Sequence, residues 1–193
     1  MRAPQPSILS MQKPAALFAL AAFALAAVFP GAARAASPEE INVSVTNGLR
    51  ALLRSNPTAR ALASQAVAVL VFPKIVKGGF LIAGQFGEGA LLENDAISGY
   101  YSTAAASLGY QAGIEQYGYA LFFMNQQALD YLHKSKGWSL GAGPSLTIVD
   151  KGFAKNFSTS TFSSDVYACV FDQKGLMGGI GVQGQKITRI HPH

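Results

Sequence analysis

FPKIVKGGFLIAGQFGEG, residues 72–89, sets five glycines (Gly78, Gly79, Gly84, Gly87, Gly89) among apolar residues, around and after Lys74 and Lys77. Glycine at this density suits a phosphate-cradling loop, a glycine-punctuated strand or a hinge at a membrane. A Walker loop requires glycine, four residues and then Gly-Lys-Ser/Thr opening a helix. Here the lysines precede the glycines, and Ala90-Leu91-Leu92-Glu93 continues as strand-like sequence. The dinucleotide fingerprint fails too, because Gly84-Gln85-Phe86-Gly87-Glu88-Gly89 reverses its spacings. The stretch therefore reads as β-structure. Glycine inside a strand costs backbone entropy, and bulges, sharp bends and close strand approach are the features that require it.

The rest of the chain extends this pattern. Segments 66–72, 79–86, 97–113, 118–125, 138–150, 166–172 and 175–190 are rich in β-branched and aromatic residues. Turn-forming runs divide them, such as Glu93-Asn94-Asp95, Asp150-Lys151-Gly152 and Asp172-Gln173-Lys174-Gly175. Short connections between about seven to nine strands favour antiparallel pairing, since parallel strands need crossover helices. The expected fold is α+β and β-rich: a strongly curved antiparallel sheet or barrel, with an N-terminal amphipathic helix and one internal helix.

The N-terminal helix opens at Ser37-Pro38-Glu39-Glu40, a hydroxyl cap with proline at the first helical position and glutamate three residues after the cap. Ile41, Val45, Leu49, Leu52 and Leu53 follow at helical spacing. Asn56-Pro57 interrupts this helix and restarts a short one through Arg60, Leu62 and Gln65. The internal helix is Gln126 to Lys134, capped by Asn125 and stopped by Gly137.

Residues 1–35 have the organisation of an export signal: basic Arg2 and Lys13, an apolar core from Ala15 to Val28, and Ala33-Arg34-Ala35 before a cleavage point at Ala36. Met11 is an alternative start that gives a shorter leader. The expected layout is a leader over 1–35 and a single domain over 36–193, exported to the periplasm or cell envelope. Three of the 15 basic residues and none of the 10 acids fall in the leader, so the remainder carries about +2 rather than +5. That excess is too small for a typical nucleic-acid binder. Cys169, the single cysteine, sits in the apolar run VYACVF and reads as a small buried hydrophobe.

No constellation supports catalysis. Ala105-Ala106-Ser107-Leu108-Gly109 lies in a strand-like run rather than at a strand-to-helix turn, Glu88, Glu93 and Glu115 form no spaced pair, and His133, Cys169, His191 and His193 lack metal-ligand spacing. We expect no enzyme, no cofactor and no metal. Surface chemistry remains. Arg50, Arg54, Arg60, Lys74 and Lys77 are five basic residues with no acid between positions 50 and 77, next to a helix with a leucine stripe. An apolar helical face beside basic residues suits a membrane interface, or else the stripe packs on the sheet and the charges are solvated.

Val71-Phe72-Pro73-Lys74-Ile75-Val76-Lys77-Gly78-Gly79-Phe80, then Gly84, Gly87-Glu88-Gly89, Gly99-Tyr100-Tyr101, Ser107-Leu108-Gly109-Tyr110-Gln111-Ala112-Gly113, Gly137-Trp138, Phe171-Asp172-Gln173-Lys174-Gly175-Leu176-Met177 and Lys186-Ile187-Thr188-Arg189-Ile190 make the chain resemble the SYLF domain family. The resemblance covers roughly residues 41–190. It implies a lipid-binding module, with relatives that bind phosphoinositides through an N-terminal amphipathic helix and basic residues, and yeast relatives that bind actin. The helix carries over as Ile41 to Leu53 and the basic component as Lys74 and Lys77, with Arg50, Arg54 and Arg60 in the less closely matched part. A secretory leader removes cytoplasmic actin and phosphoinositides from reach, so the expected partner is an anionic phospholipid surface. Two alternatives stand: a protein-interaction module using Tyr100, Tyr101, Phe122, Phe123 and Trp138, and a carrier holding a hydrophobic ligand inside a barrel.

Overall fold

A computed structural model of the chain describes residues 36–149, 163–175, 182 and 184–193. Residues 1–35, where a leader is expected, and parts of the strand segments expected at 138–150 and 175–190 lie outside them. Two helices come first, α1 (Pro38–Ser55) and α2 (Pro57–Ala63), followed by strands β1 (Ala68–Glu93) and β2 (Ala96–Phe123). Then follow α3 (Gln126–Lys134), β3 (Trp138–Ser139), β4 (Leu146–Val149), β5 (Val166–Gly175) and β6 (Lys186–Ile190).

The helix starts form as local chemistry dictates. Ser37 Oγ accepts from the Glu40 amide at 3.3 Å and the Glu40 carboxylate accepts from the Ser37 amide at 2.9 Å, a reciprocal capping box. Asn56 ends α1 by donating its amide to Leu52 O, and its side chain caps α2 by accepting from the Ala59 amide. Ile41, Val45 and Leu52 bury the inner side of α1.

The sheet is a strongly curled half-barrel with six strands among the described residues, ordered β3-β6-β2-β5-β4, with β1 on β2. The seven strand segments read from sequence condense into fewer, longer strands. Segments 66–72 and 79–86 are one strand, as are 97–113 and 118–125, because the glycines between them bend the ribbon without ending it. β1 and β2 form one antiparallel hairpin that closes at Asn94 and Asp95, both with positive φ, as a two-residue turn requires. β2 is the spine. One edge pairs with β1 throughout, while the other pairs with β6 at residues 100–104 and with β5 at 115–123. The sheet is not wholly antiparallel, since β4 runs parallel to β5.

Register shifts at Phe72/Ile75 and Phe80/Ile82 let the ribbon fold back on itself. A β-carbon on Gly89 would lie 2.1 Å from Val71 O, and one on Gly87 would lie 2.7 Å from Lys74 O. Glycine is thus required where the second half of β1 crosses the first.

The two faces carry separate cores. The concave face buries Phe72, Ile75, Tyr101, Tyr117, Tyr119, Phe123 and Trp138 together with Ala128, Leu129 and Leu132 of α3. The convex face buries Val71, Ala90, Ala120 and Phe122 beneath α1 and α2. Cys169 lies in the convex core, and burial pushes its thiol up to about 12.

A buried polar string crosses the concave face. Tyr119 donates to Thr103 Oγ1 (2.9 Å), Thr103 to Gln185 Oε1 (2.8 Å), Gln185 Nε2 to Tyr117 Oη (3.1 Å) and Tyr117 to Gln85 Oε1 (2.9 Å). Desolvation pushes the Tyr117 hydroxyl up to about 12 and raises that of Tyr119 further. Each member is satisfied by the next, which is how a curled sheet tolerates polar groups at its centre.

Candidate functional site

The five basic residues expected to act together fall into three places. Arg50, Arg54 and Arg60 line one open groove of about 650 Å³ between α1, α2 and the β1–β2 turn, together with Leu49, Leu53 and Leu92. Asp95 is the one carboxylate of that lining. Lys74 lies on the opposite flank of α1, exposed, in a second hollow of about 630 Å³ with Asn47, Gly48 and Phe171. Lys77 is buried, at 6% exposure.

The burial of Lys77 corrects the expectation that it faces solvent beside Lys74. Three residues apart in a strand means opposite faces, so Lys77 points inward. It stands opposite Glu115 in the β1–β2 register, and Glu115 is itself buried and accepts from Gln173 Nε2 at 2.8 Å. Its position suits a structural role between the two long strands better than contact with a ligand.

Arg60 is divided between roles. Its Nη1 donates to Leu53 O at 2.8 Å and to Arg54 O at 3.1 Å, which satisfies carbonyls left open at the end of α1. Arg50 and Arg54 stand one helical turn apart, where like charges cost a few tenths of a kcal/mol. Ion pairs among the described residues are His133–Glu93, Lys134–Asp130 and Lys174–Asp172; none involves Arg50, Arg54, Arg60 or Lys74. Two exposed guanidinium groups one turn apart, without a carboxylate partner and next to three leucines, form a surface suited to an amphipathic anion.

The aromatic residues considered for a protein interface are elsewhere. Tyr101, Phe122, Phe123 and Trp138 are buried in the two cores, and Tyr100 is half-buried with its hydroxyl donating to Asn42 at 3.0 Å. That correction follows from the two-sided burial of the sheet, which uses aromatics on both faces. Likewise, the concave face is filled by Trp138, Tyr101, Tyr117 and Tyr119 and crossed by the polar string. Among the described residues no group of three or more His, Cys, Asp and Glu converges in a way that could hold a metal ion, and no helix is long and apolar enough to cross a membrane.

Sequence reading missed the polar string, although a signal existed: Gln85, Thr103, Glu115 and Tyr117 occupy inward positions of β1 and β2. Polar residues at alternating core positions become recognisable once the strand register is known.

No curated protein matches the chain. Residues 104–191 match the model of the family described as "Ysc84: Las17-binding protein actin regulator". The match runs from the middle of β2 to the end of β6 and excludes Arg50, Arg54, Arg60, Lys74 and Lys77. The family resemblance read from the sequence is therefore shown as a match over this part of the chain, residues 104–191, to the model of the Ysc84, or SYLF, family.

Proposed function

We propose that this protein is a non-enzymatic lipid-binding protein of the bacterial envelope, which contacts anionic phospholipid headgroups through the basic groove of α1 and α2. The observation that carries this reading is the open groove in which Arg50 and Arg54, without ion-pair partners among the described residues, flank Leu49, Leu53 and Leu92. Guanidinium groups suit phosphate because their planar fork donates two hydrogen bonds. The leucines suit the glycerol and upper acyl region. Lys74, across α1, adds an exposed charge that reaches the same surface when the helix lies in the interface. Co-sedimentation tests the proposal: vesicles containing anionic phospholipid bind the protein, binding weakens with salt, and neutral vesicles bind weakly. Equal binding to both, or none to either, refutes it.

Export is part of the same proposal and rests on the sequence of residues 1–35. The surroundings of Ala36 are compatible with a new N-terminus there. The Ala36 backbone nitrogen donates to Glu88 Oε2 at 3.1 Å in a partly buried site, so a freed α-ammonium would find a carboxylate in place. The intact mass of the protein recovered from the envelope fraction tests this, and a mass that includes residues 1–35 refutes it.

A second reading is a protein-binding module of the actin-regulator type, favoured by the family description, whose match lies apart from the arginine groove. Pelleting with filamentous actin, with no vesicle binding, would favour it.

A further inference from the structure

We infer that the outward side of the β1–β2 bend is a membrane-inserting surface, which enters the interfacial region of an anionic phospholipid bilayer between flanking lysines. The inference rests on the lipid-binding reading above and adds a second contact to it.

The convex face of the ribbon is covered by α1 and α2 only over its outer part, around Val71, Ala90, Ala120 and Phe122. Towards the bend the cover ends while the face stays apolar. Ile82 is 63% exposed, Phe86 53%, Ile114 69% and Val76 44%. These four are most of the large hydrophobic residues with high exposure among the described positions, and all lie within the central part of one hairpin. Phe86 pairs with Ala104 and Ile114 with Gly78, with Gly84 opposite Ala106, while Ile82 pairs with Leu108, so Phe86 and Ile114 stand opposite small residues and the paired positions are apolar on both strands. A water-soluble monomer rarely concentrates apolar exposure in this way without a partner.

Charge identifies the partner. Directly paired residues of a sheet share a face, and the register extends two of these rows to an exposed lysine. Phe86 pairs with Ala104 and Ala104 with Lys186, while Val76 pairs with Gln116 and Gln116 with Lys174. Lys74 precedes Val76 on the outward side of β1 and is exposed. Lys174 is shared with Asp172 at 3.1 Å, whereas Lys74 and Lys186 make no ion pair among the described residues. The nearest outward acid on β1, Glu88, accepts from the Ala36 amide. Apolar side chains centred between cations match a bilayer with anionic headgroups above hydrocarbon. A protein groove would not require lysines at the ends of both rows.

The test uses Phe86→Trp and the double variant Ile82→Ser/Phe86→Ser, with vesicles of phosphatidylglycerol and phosphatidylcholine. With the wild-type emission subtracted, the F86W fluorescence is expected to shift to the blue on vesicle addition and to be quenched by lipids brominated near the headgroup end of the chain. The serine double variant is expected to melt as the wild type does and to bind these vesicles about tenfold more weakly, about 1.4 kcal/mol. It should also lose the part of binding that survives high salt. Should the double variant unfold, the F86W measurement still decides. Vesicle binding with unchanged F86W emission overturns this inference and leaves the arginine groove as the only contact. A double variant that turns a dimer into a monomer and binds vesicles normally also overturns it, and assigns the patch to a second copy of the chain. Failure of the wild type to bind any vesicle refutes the lipid reading itself, and this inference with it.

Discussion

Neutralising Arg50 and Arg54 separates a binding role from a structural one, because the fold makes little use of either side chain. Each is exposed, each lines the α1–α2 groove, and neither has an ion-pair partner among the described residues. A basic residue close to an anionic bilayer contributes about 1 kcal/mol, so Arg50→Gln/Arg54→Gln is expected to lose about 2 kcal/mol, roughly 30-fold in vesicle affinity at low salt. The difference should shrink as ionic strength rises and the Debye length falls to about 8 Å at 0.15 M. Stability should hold or rise slightly, since the substitution relieves a like-charge contact one turn apart worth about 0.2–0.5 kcal/mol. Arg60→Gln is the counterpart. It removes a guanidinium that closes the end of α1 through Leu53 O and Arg54 O; at an exposed site this costs about 1 kcal/mol, or about 2–4 °C in Tm. The assay is vesicle co-sedimentation over a salt series, with thermal melts of every variant. If Arg50→Gln/Arg54→Gln binds anionic vesicles as the wild type does, or loses binding only in proportion to lost stability, the groove is not the contact surface.

Other expectations concern the scaffold. Gly89→Ala should unfold the domain or lower its melting point severely, because the new carbon would meet Val71 O at 2.1 Å, whereas Gly84→Ala meets nothing within 4 Å and should be tolerated; comparable melting of the two would refute the crossing geometry. Gln185→Leu leaves the Thr103 hydroxyl without its acceptor on the concave face and should cost about 1–3 kcal/mol by urea unfolding. Stability should decline as pH rises from about 9 towards 12, first through the Cys169 thiol, which burial raises from 9.0 to about 12, and above pH 10 through Tyr117 as well. The Tyr117 hydroxyl is raised by burial from 10.0 to about 12 in the folded state, so the unfolded chain releases its proton first. An alkaline titration followed by circular dichroism checks this, and a loss of structure that begins below pH 9 would point to another group.

Features within a few residues of each other were legible in the sequence for a physical reason: their partners are their chain neighbours. The Ser37–Glu40 capping box, Asn56 as a double cap, Asn125 capping α3 and the turn at Asn94-Asp95 all formed where their residue types predict. The glycine-rich stretch 72–89 was legible as curved β-structure as well, since its glycines exclude a nucleotide loop by order and spacing alone. The opposite orientations of Lys74 and Lys77 were implicit in their odd separation, once the segment was taken as strand.

Tertiary structure decided the rest. Whether 66–72 and 79–86 were two strands or one depended on a partner strand long enough to pair with both, and β2 supplies it. The crossing of Gly87 and Gly89 over residues 71–75 joins positions about 15 apart in sequence, and no local propensity encodes which carbonyl each glycine meets. The pairing register chose the rows that end at Lys174 and Lys186, with a shift between Gln116 and Gly118 beside the first of them. Composition placed five cations near one another in the chain, but packing separated them. Three arginines share a groove, Lys74 lies across α1, and Lys77 is buried opposite Glu115. Sequence determined that this chain would be a glycine-bent sheet with a capped helix carrying basic residues. Which of those charges meet solvent depended on how a 26-residue strand folds back on itself, because exposure is a property of the closed sheet and not of the segment.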